Sequence, residues 1–123
     1  MMAEQAYGGP EVKMQQLKMR LRAIANAILD QSIHAGNMTE QQAMDLMTKE
    51  AFQQEGEAVA KWKRARLTSA QLSTYFVGAT EHLDLRAADQ NKLGKDFDLK
   101  KYNDRVISYG SPAVKCVREL MGL

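Results

Sequence analysis

Apolar positions recur every three or four residues along nearly the whole chain, and no stretch of useful length alternates with period two. This spacing predicts an all-α fold of about six helices in one irregular bundle. The first helix begins near Pro10, whose fixed φ suits a first helical turn, and runs to Gly36-Asn37. Met14, Leu17, Leu21, Ile24 and Ile28 form its buried stripe. A second helix opens at Thr39, whose hydroxyl can cap the backbone while Gln42 reaches back, and it buries Met44, Met47 and Ala51. Gly56 separates it from a third helix, about Glu57 to Leu67, with Val59, Trp62 and the stem of Arg66 on one side.

The strongest local signal follows. Thr68 reads as an N-cap, Gln71 completes a capping box, and Leu67 and Leu72 occupy the positions of a hydrophobic staple. The fourth helix then runs to about Leu93, where Gly94 ends it, with Leu72, Phe76, Ala79 and Leu83 as its core stripe. Asp98 caps a fifth, with Phe97 and Tyr102 as the staple and Leu99, Tyr102, Val106 and Tyr109 buried, and Gly110 closes it. Ser111-Pro112 starts the last helix, which turns Val114, Val117, Leu120 and Met121 inward.

Composition narrows the function. A chain of 123 residues fits one helical domain, 1–123, with a core that needs no disulfide or metal staple. Seventeen Lys and Arg against 15 Asp and Glu leave a formal charge of +2, too small to push toward nucleic acid or a membrane surface. The single cysteine, Cys116, has no internal partner and reads as a small core residue. No apolar run approaches membrane-spanning length and no signal-like segment opens the chain, which favours a cytoplasmic setting. The run from Lys61 to Arg66 sets four cations around Trp62, but its helical phase turns the indole toward Val59 and the cations toward solvent. That argues against a nucleic-acid partner.

Two places could carry chemistry. His34 sits at the end of the first helix, where it can face a cleft or simply bond the last carbonyls. Gln71, Tyr75, Gly78 and His82 share a polar, aromatic face of the fourth helix. Glycine inside a helix costs about 1 kcal/mol relative to alanine, so Gly78 marks close packing or a gap for a ligand beside Tyr75. His34 and Tyr75 together suggest a proton-donating pair for polarising a carbonyl. His82, beside Glu81 and Asp84, reads as solvated. Neither His-Glu-x-x-His nor Cys-x-x-Cys occurs, so no self-contained metal site is expected.

These segments resemble the C-terminal end of a bacterial family known as domain of unknown function 885, whose longer members look like helical zinc metallopeptidases. The resemblance spans nearly the whole chain. It rests on Asp30 to His34, on the helix start Met38 to Ala43, and on Gln71, Ser73 or Thr74, Tyr75 and Gly78. Leu93-Gly94, Phe97-Asp98-Leu99, Gly110 and Pro112 follow in order. Two departures stand out. Ser69-Ala70 replaces a frequent Pro-Gly, and Asn103 falls where relatives often carry histidine.

The resemblance implies that a zinc-binding helix and a later glutamate ligand lie upstream, with Met1 to Gly8 similar to the tail of the glutamate helix. It implies further that His34 and Tyr75 donate to the oxyanion of a peptide substrate, while Gln71 and Gly78 line its cleft. No metal ligand falls in this chain, and zinc belongs to the full-length context. The chain is thus expected to be a fragment, inactive alone, whose partner is a catalytic N-terminal half or a second copy of itself. A competing expectation is a small helical interaction module that binds a partner helix through an exposed apolar groove.

Overall fold

The computed structural model describes residues 8–123, and the similarity of Met1 to Gly8 to a glutamate helix lies almost wholly outside them. Every α-helical, π-helical or 3-10 element among them is as expected for an all-α chain, and no strand occurs. Six α-helices follow in order: α1 Gly9–His34, α2 Glu40–Asp45, α3 Glu55–Leu67, α4 Thr74–Leu93, α5 Leu99–Ser108 and α6 Val114–Leu120. The chain divides into two compact units between Phe76 and Val77, inside α4.

The first unit is built on Leu29, Ala43, Met47, Ala58, Trp62, Ala65 and Leu72, with Ile33, Met38, Met44 and Leu46 packed around them. Thr39 caps α2 as its sequence predicts, accepting from the Gln42 amide while the Gln42 side chain accepts from the Thr39 N–H. The helix then loosens into a π-helical turn, Leu46–Glu50. There the Thr48 hydroxyl donates to the Met44 carbonyl at 2.7 Å, and the Ala51 N–H reaches back five residues to Leu46. Hydroxyl back-bonding of this kind competes with the helical ladder.

Several expectations for this unit are corrected. The break before α3 falls at 51–54, where Phe52 takes φ +52°, and Gly56 lies inside the first turn of α3. Glu55 and Glu57 in that turn, with Arg64 and Arg66 in the last, match the helix dipole at both ends. In α1 the buried residues are Ala25, Asn26, Leu29 and Asp30, one position on from the predicted stripe. Met14, Leu17 and Ile28 of that stripe are exposed. Periodicity finds an apolar face, but whether anything covers it depends on tertiary neighbours.

The Thr68 capping box does not form. Thr68 ends α3 instead, its hydroxyl donating to the Arg64 carbonyl, and Gln71 accepts from the Arg64 guanidinium. Leu67 is 85% exposed, so no staple closes, and Leu72 is buried from the linker rather than from a helix. Phe76 and Leu83, expected in the α4 core, are 40% and 39% exposed, and the buried positions of α4 are Leu85 and Asp89.

The second unit follows its local signals more closely. Asp98 accepts from the Lys101 N–H at 2.8 Å, and the Phe97 and Tyr102 rings meet at 5.9 Å as the staple predicts. Its core is Leu85, Tyr102, Val117 and Met121, packed against Leu99, Val106, Tyr109 and Val114. Gly94 and Gly110, at φ +55° and +79°, take left-handed turns just after α4 and α5. The last helix is shorter than expected: it starts at Val114 rather than at Ser111-Pro112, and Leu120 faces out. Among the described residues no helix is long and apolar enough to cross a membrane.

Candidate functional site

The end of α1 is tied to the α3–α4 linker by a polar brace. Asp30, 2% exposed, accepts at Oδ2 from both the backbone N–H and the hydroxyl of Ser73, each at 3.0 Å. One turn later, His34 Nε2 lies 3.0 Å from the Ala65 carbonyl and 2.7 Å from the Thr68 carbonyl. Both partners are acceptors, so Nε2 carries the proton and donates to them. Its distance to Asp30 Oδ1 is 3.5 Å. The i, i+4 spacing of Asp30 and His34 puts both on the face of α1 that meets the linker.

This arrangement has chemical consequences. Asp, His and Ser come together, but Ser73 bonds to the carboxylate and not to the imidazole, so no base is placed to activate the hydroxyl as in a nucleophilic triad. With Nε2–H committed to backbone carbonyls, His34 can donate to a substrate oxygen only through Nδ1, as the imidazolium. In the neutral form its role is to hold the linker.

The linker delivers Tyr75, at the start of α4, to the rim of a cleft of about 400 Å³. Met19, Ala23, Ala60 and Leu72 supply its apolar walls, and Arg22, Asn26, Glu57, Lys61 and Arg64 its polar lining. Tyr75 is 59% exposed, and its hydroxyl has no partner among the described residues. His34 is not among the lining residues. Gln71 is exposed and reaches the cleft only through its bond to Arg64. Gly78 falls in the second unit, and a Cβ there would meet nothing within 4 Å, so close packing does not account for the glycine. His82 is exposed, as read from the sequence.

The cations of α3, read from the sequence as a solvated face, divide between two roles. Arg66 stacks on the Trp62 ring at 5.6 Å, and Lys63 faces solvent. Lys61 and Arg64 instead turn into the cleft with Arg22. Arg22 pairs with Glu57; Lys61 donates to Gln53 at 2.6 Å and to Glu57 at 3.4 Å. Burial, then the nearby Arg22 and Arg64 charges, pull the Lys61 ammonium down to about 8. Sequence reading missed this cleft because its cations come from two helices 35 or more residues apart. Among the described residues no group of three or more His, Cys, Asp or Glu could hold a metal ion.

Residues 1–121 match the family described as bacterial protein of unknown function (DUF885). The whole chain is also similar to part of a solved structure, a candidate lipoprotein of unknown function from Shewanella oneidensis, at 48% identity and a TM-score of 0.92. That relative is much longer: the chain spans 23% of its length. No curated protein matches the sequence.

Proposed function

This chain belongs to the bacterial family of unknown function DUF885, and from that premise we propose that it is the substrate-side wall of a zinc-peptidase-like hydrolase. Its contribution is a positioned hydrogen-bond donor and a binding cleft. The observation that carries this reading is Tyr75, exposed at the cleft rim just after a linker fixed by the Asp30 and His34 brace, its hydroxyl without a partner among the described residues. A donor pre-aimed by rigid surroundings stabilises charge developing on a carbonyl oxygen without reorganising as the reaction proceeds. The described residues do not fit a zinc site, so the metal that the family resemblance implies would be held outside them. The length of the Shewanella relative leaves room for such a region.

His34 enters as a positioning residue: its ring fixes the carbonyls of Ala65 and Thr68, and with them the path of the chain to Tyr75. As the imidazolium it could also serve as the second donor. Gln71 holds Arg64 at the cleft. In the intact protein acting on a peptide, Tyr75→Phe should lower kcat about a hundredfold or more with little change in KM, the signature of a donor used in the transition state. Unchanged turnover would reject the assignment.

A second reading, the helical interaction module, has one observation in its favour. Met14, Leu17 and Ile28 leave one side of α1 apolar and exposed. Such a face suits a partner, whether another region of a longer protein or a second copy of this chain.

A further inference from the structure

The N-terminal part of α1 stands clear of the core that the rest of the helix helps to build. From Gly9 to Arg20 no residue is buried and only Gln16 is half-buried, whereas Ala25, Asn26, Leu29 and Asp30 lie in the core. A bare helix of about 12 residues is marginal in water, so an overhang of this kind gains from being covered. Its apolar pattern continues without a break into the packed half. Met14, Leu17, Leu21, Ile24 and Ile28 follow at spacings of three, four, three and four, the a and d positions of a coiled-coil seam. Met14, Leu17 and Ile28 are 63%, 55% and 43% exposed, and Leu21 and Ile24 are half-buried. None of the five lines the Tyr75 cleft.

Charge decides what fits this seam. The positions that flank it are Lys13, Lys18 and Arg20 in the N-terminal half and Ala25 and Ala27 in the C-terminal half. A parallel pair of α1 helices would set Lys13 of one copy against Lys18 of the other, which like charge disfavours. An antiparallel pair, with Leu17 opposite Ile28 and Leu21 opposite Ile24, sets Lys18 and Arg20 against the two alanines instead. The same register brings Lys13 and Met14 level with Ser32 and Gln31 of the other copy, and Ser32 lines a groove of about 540 Å³ between α1 and the α2 and π-turn segment. Ile28, Met38 and Leu46 give that groove apolar walls, and Asp45 and Glu50 give it negative charge. Asp45 is shared with Lys49, whereas Glu50 forms no ion pair among the described residues. One half of the seam thus brings a methionine and cations, and the other half offers an apolar groove and a carboxylate.

We infer that two copies of this chain associate through their α1 helices, antiparallel about a two-fold axis between Leu21 and Ile24. Each copy places Met14 in the groove of the other and Lys13 beside its Glu50. Such a contact uses the same patch on both copies, so it closes at two and leaves no open edge for further growth. It chooses one occupant for the apolar side of α1 and rests on nothing in the peptidase-like reading.

Sedimentation equilibrium of the purified chain from about 1 to 100 µM tests the proposal and should fit a monomer–dimer equilibrium. Leu17→Glu lies on the exposed overhang, so it should leave thermal unfolding of the dilute monomer unchanged while weakening the dimer about a hundredfold or more. Lys13→Glu and Glu50→Lys should each weaken pairing by about threefold or more, and the two in one chain should restore it, because both ends of the contact then exchange charge. Lys63→Gln, on the solvent side of α3, should change nothing. In a Cys116→Ser background, Leu17→Cys and Ile28→Cys chains mixed under air should join to each other by a disulfide, while neither joins to itself. A monomer throughout the concentration range would overturn the inference and leave the face to another region of a longer chain. So would a Leu17→Glu protein that dimerises as the parent does, a double charge variant no better than its singles, or Leu17→Cys chains that join to one another.

Discussion

The two units solve the problem of burying polar groups differently. In the first, Asn26, Asp30 and Gln53 are buried, and each keeps an atom without a hydrogen-bond partner. Two non-glycine residues, Phe52 and Ala70, adopt positive φ, and one helix slackens into a π turn. The second unit has its positive φ angles only at glycines among the described residues. Its buried Asp89 lies 3.9 Å from Arg105, its Asp98 cap forms where the sequence places it, and one buried atom, Asn103 Oδ1, goes unpaired. Strain and unpaired polar groups gather where the candidate chemistry is. Such features cost stability and persist where function uses them or the surroundings enforce them.

Three changes put this contrast to work, in descending order of effect. Leu85→Ala removes the most buried aliphatic side chain of the second unit and should cost about 3 kcal/mol in denaturant unfolding, the range for a cavity in an apolar core. Hydrogen exchange should then rise over 77–123 first. Asp30→Ala should cost less, about 2 kcal/mol, because loss of two charge-assisted bonds to Ser73 is offset by no longer burying a carboxylate. Its distinguishing mark is faster exchange at the Ser73 amide and lower affinity in the Tyr75 cleft. If the two variants lose stability equally and with identical exchange patterns, the units do not differ in the way described.

The smallest change runs the other way. Ala70 sits at φ +61°, a left-handed conformation that a Cβ disfavours by about 1 kcal/mol. Ala70→Gly should raise stability by a few tenths of that to the whole of it, since glycine relieves strain in the folded state but loosens the unfolded chain. A thermal melt reads the difference, and a lower Tm would mean the linker is not strained there.

The legible parts of the sequence share a cause. The Thr39 capping box, the Asp98 cap and the Phe97–Tyr102 staple involve residues three to five apart, and nothing distant competes for them. The same kind of pattern fails at Thr68 because better partners arrive from elsewhere: Gln71 is taken by Arg64, and Ser73 by the Asp30 carboxylate 43 residues earlier. A charge-assisted bond in a buried site outweighs a cap of about 1 kcal/mol. Tyr75 was found from its face of a helix and does stand at a cleft, whereas Asn26, Lys61 and Arg64 were invisible as a group because only folding brings α1 and α3 side by side.

The chain by itself determined that it would be helical, where α2 and α5 begin, where α4 and α5 end, and which family it belongs to, because periodicity, short-range caps and local motifs are properties of neighbours in sequence. Tertiary structure alone decided which side of α1 is buried, that the linker before Tyr75 is pinned rather than helical, and that three cations share one cleft. Each of those depends on residues far apart along the chain, where the balance of burial against hydrogen bonding is settled by what the fold brings near.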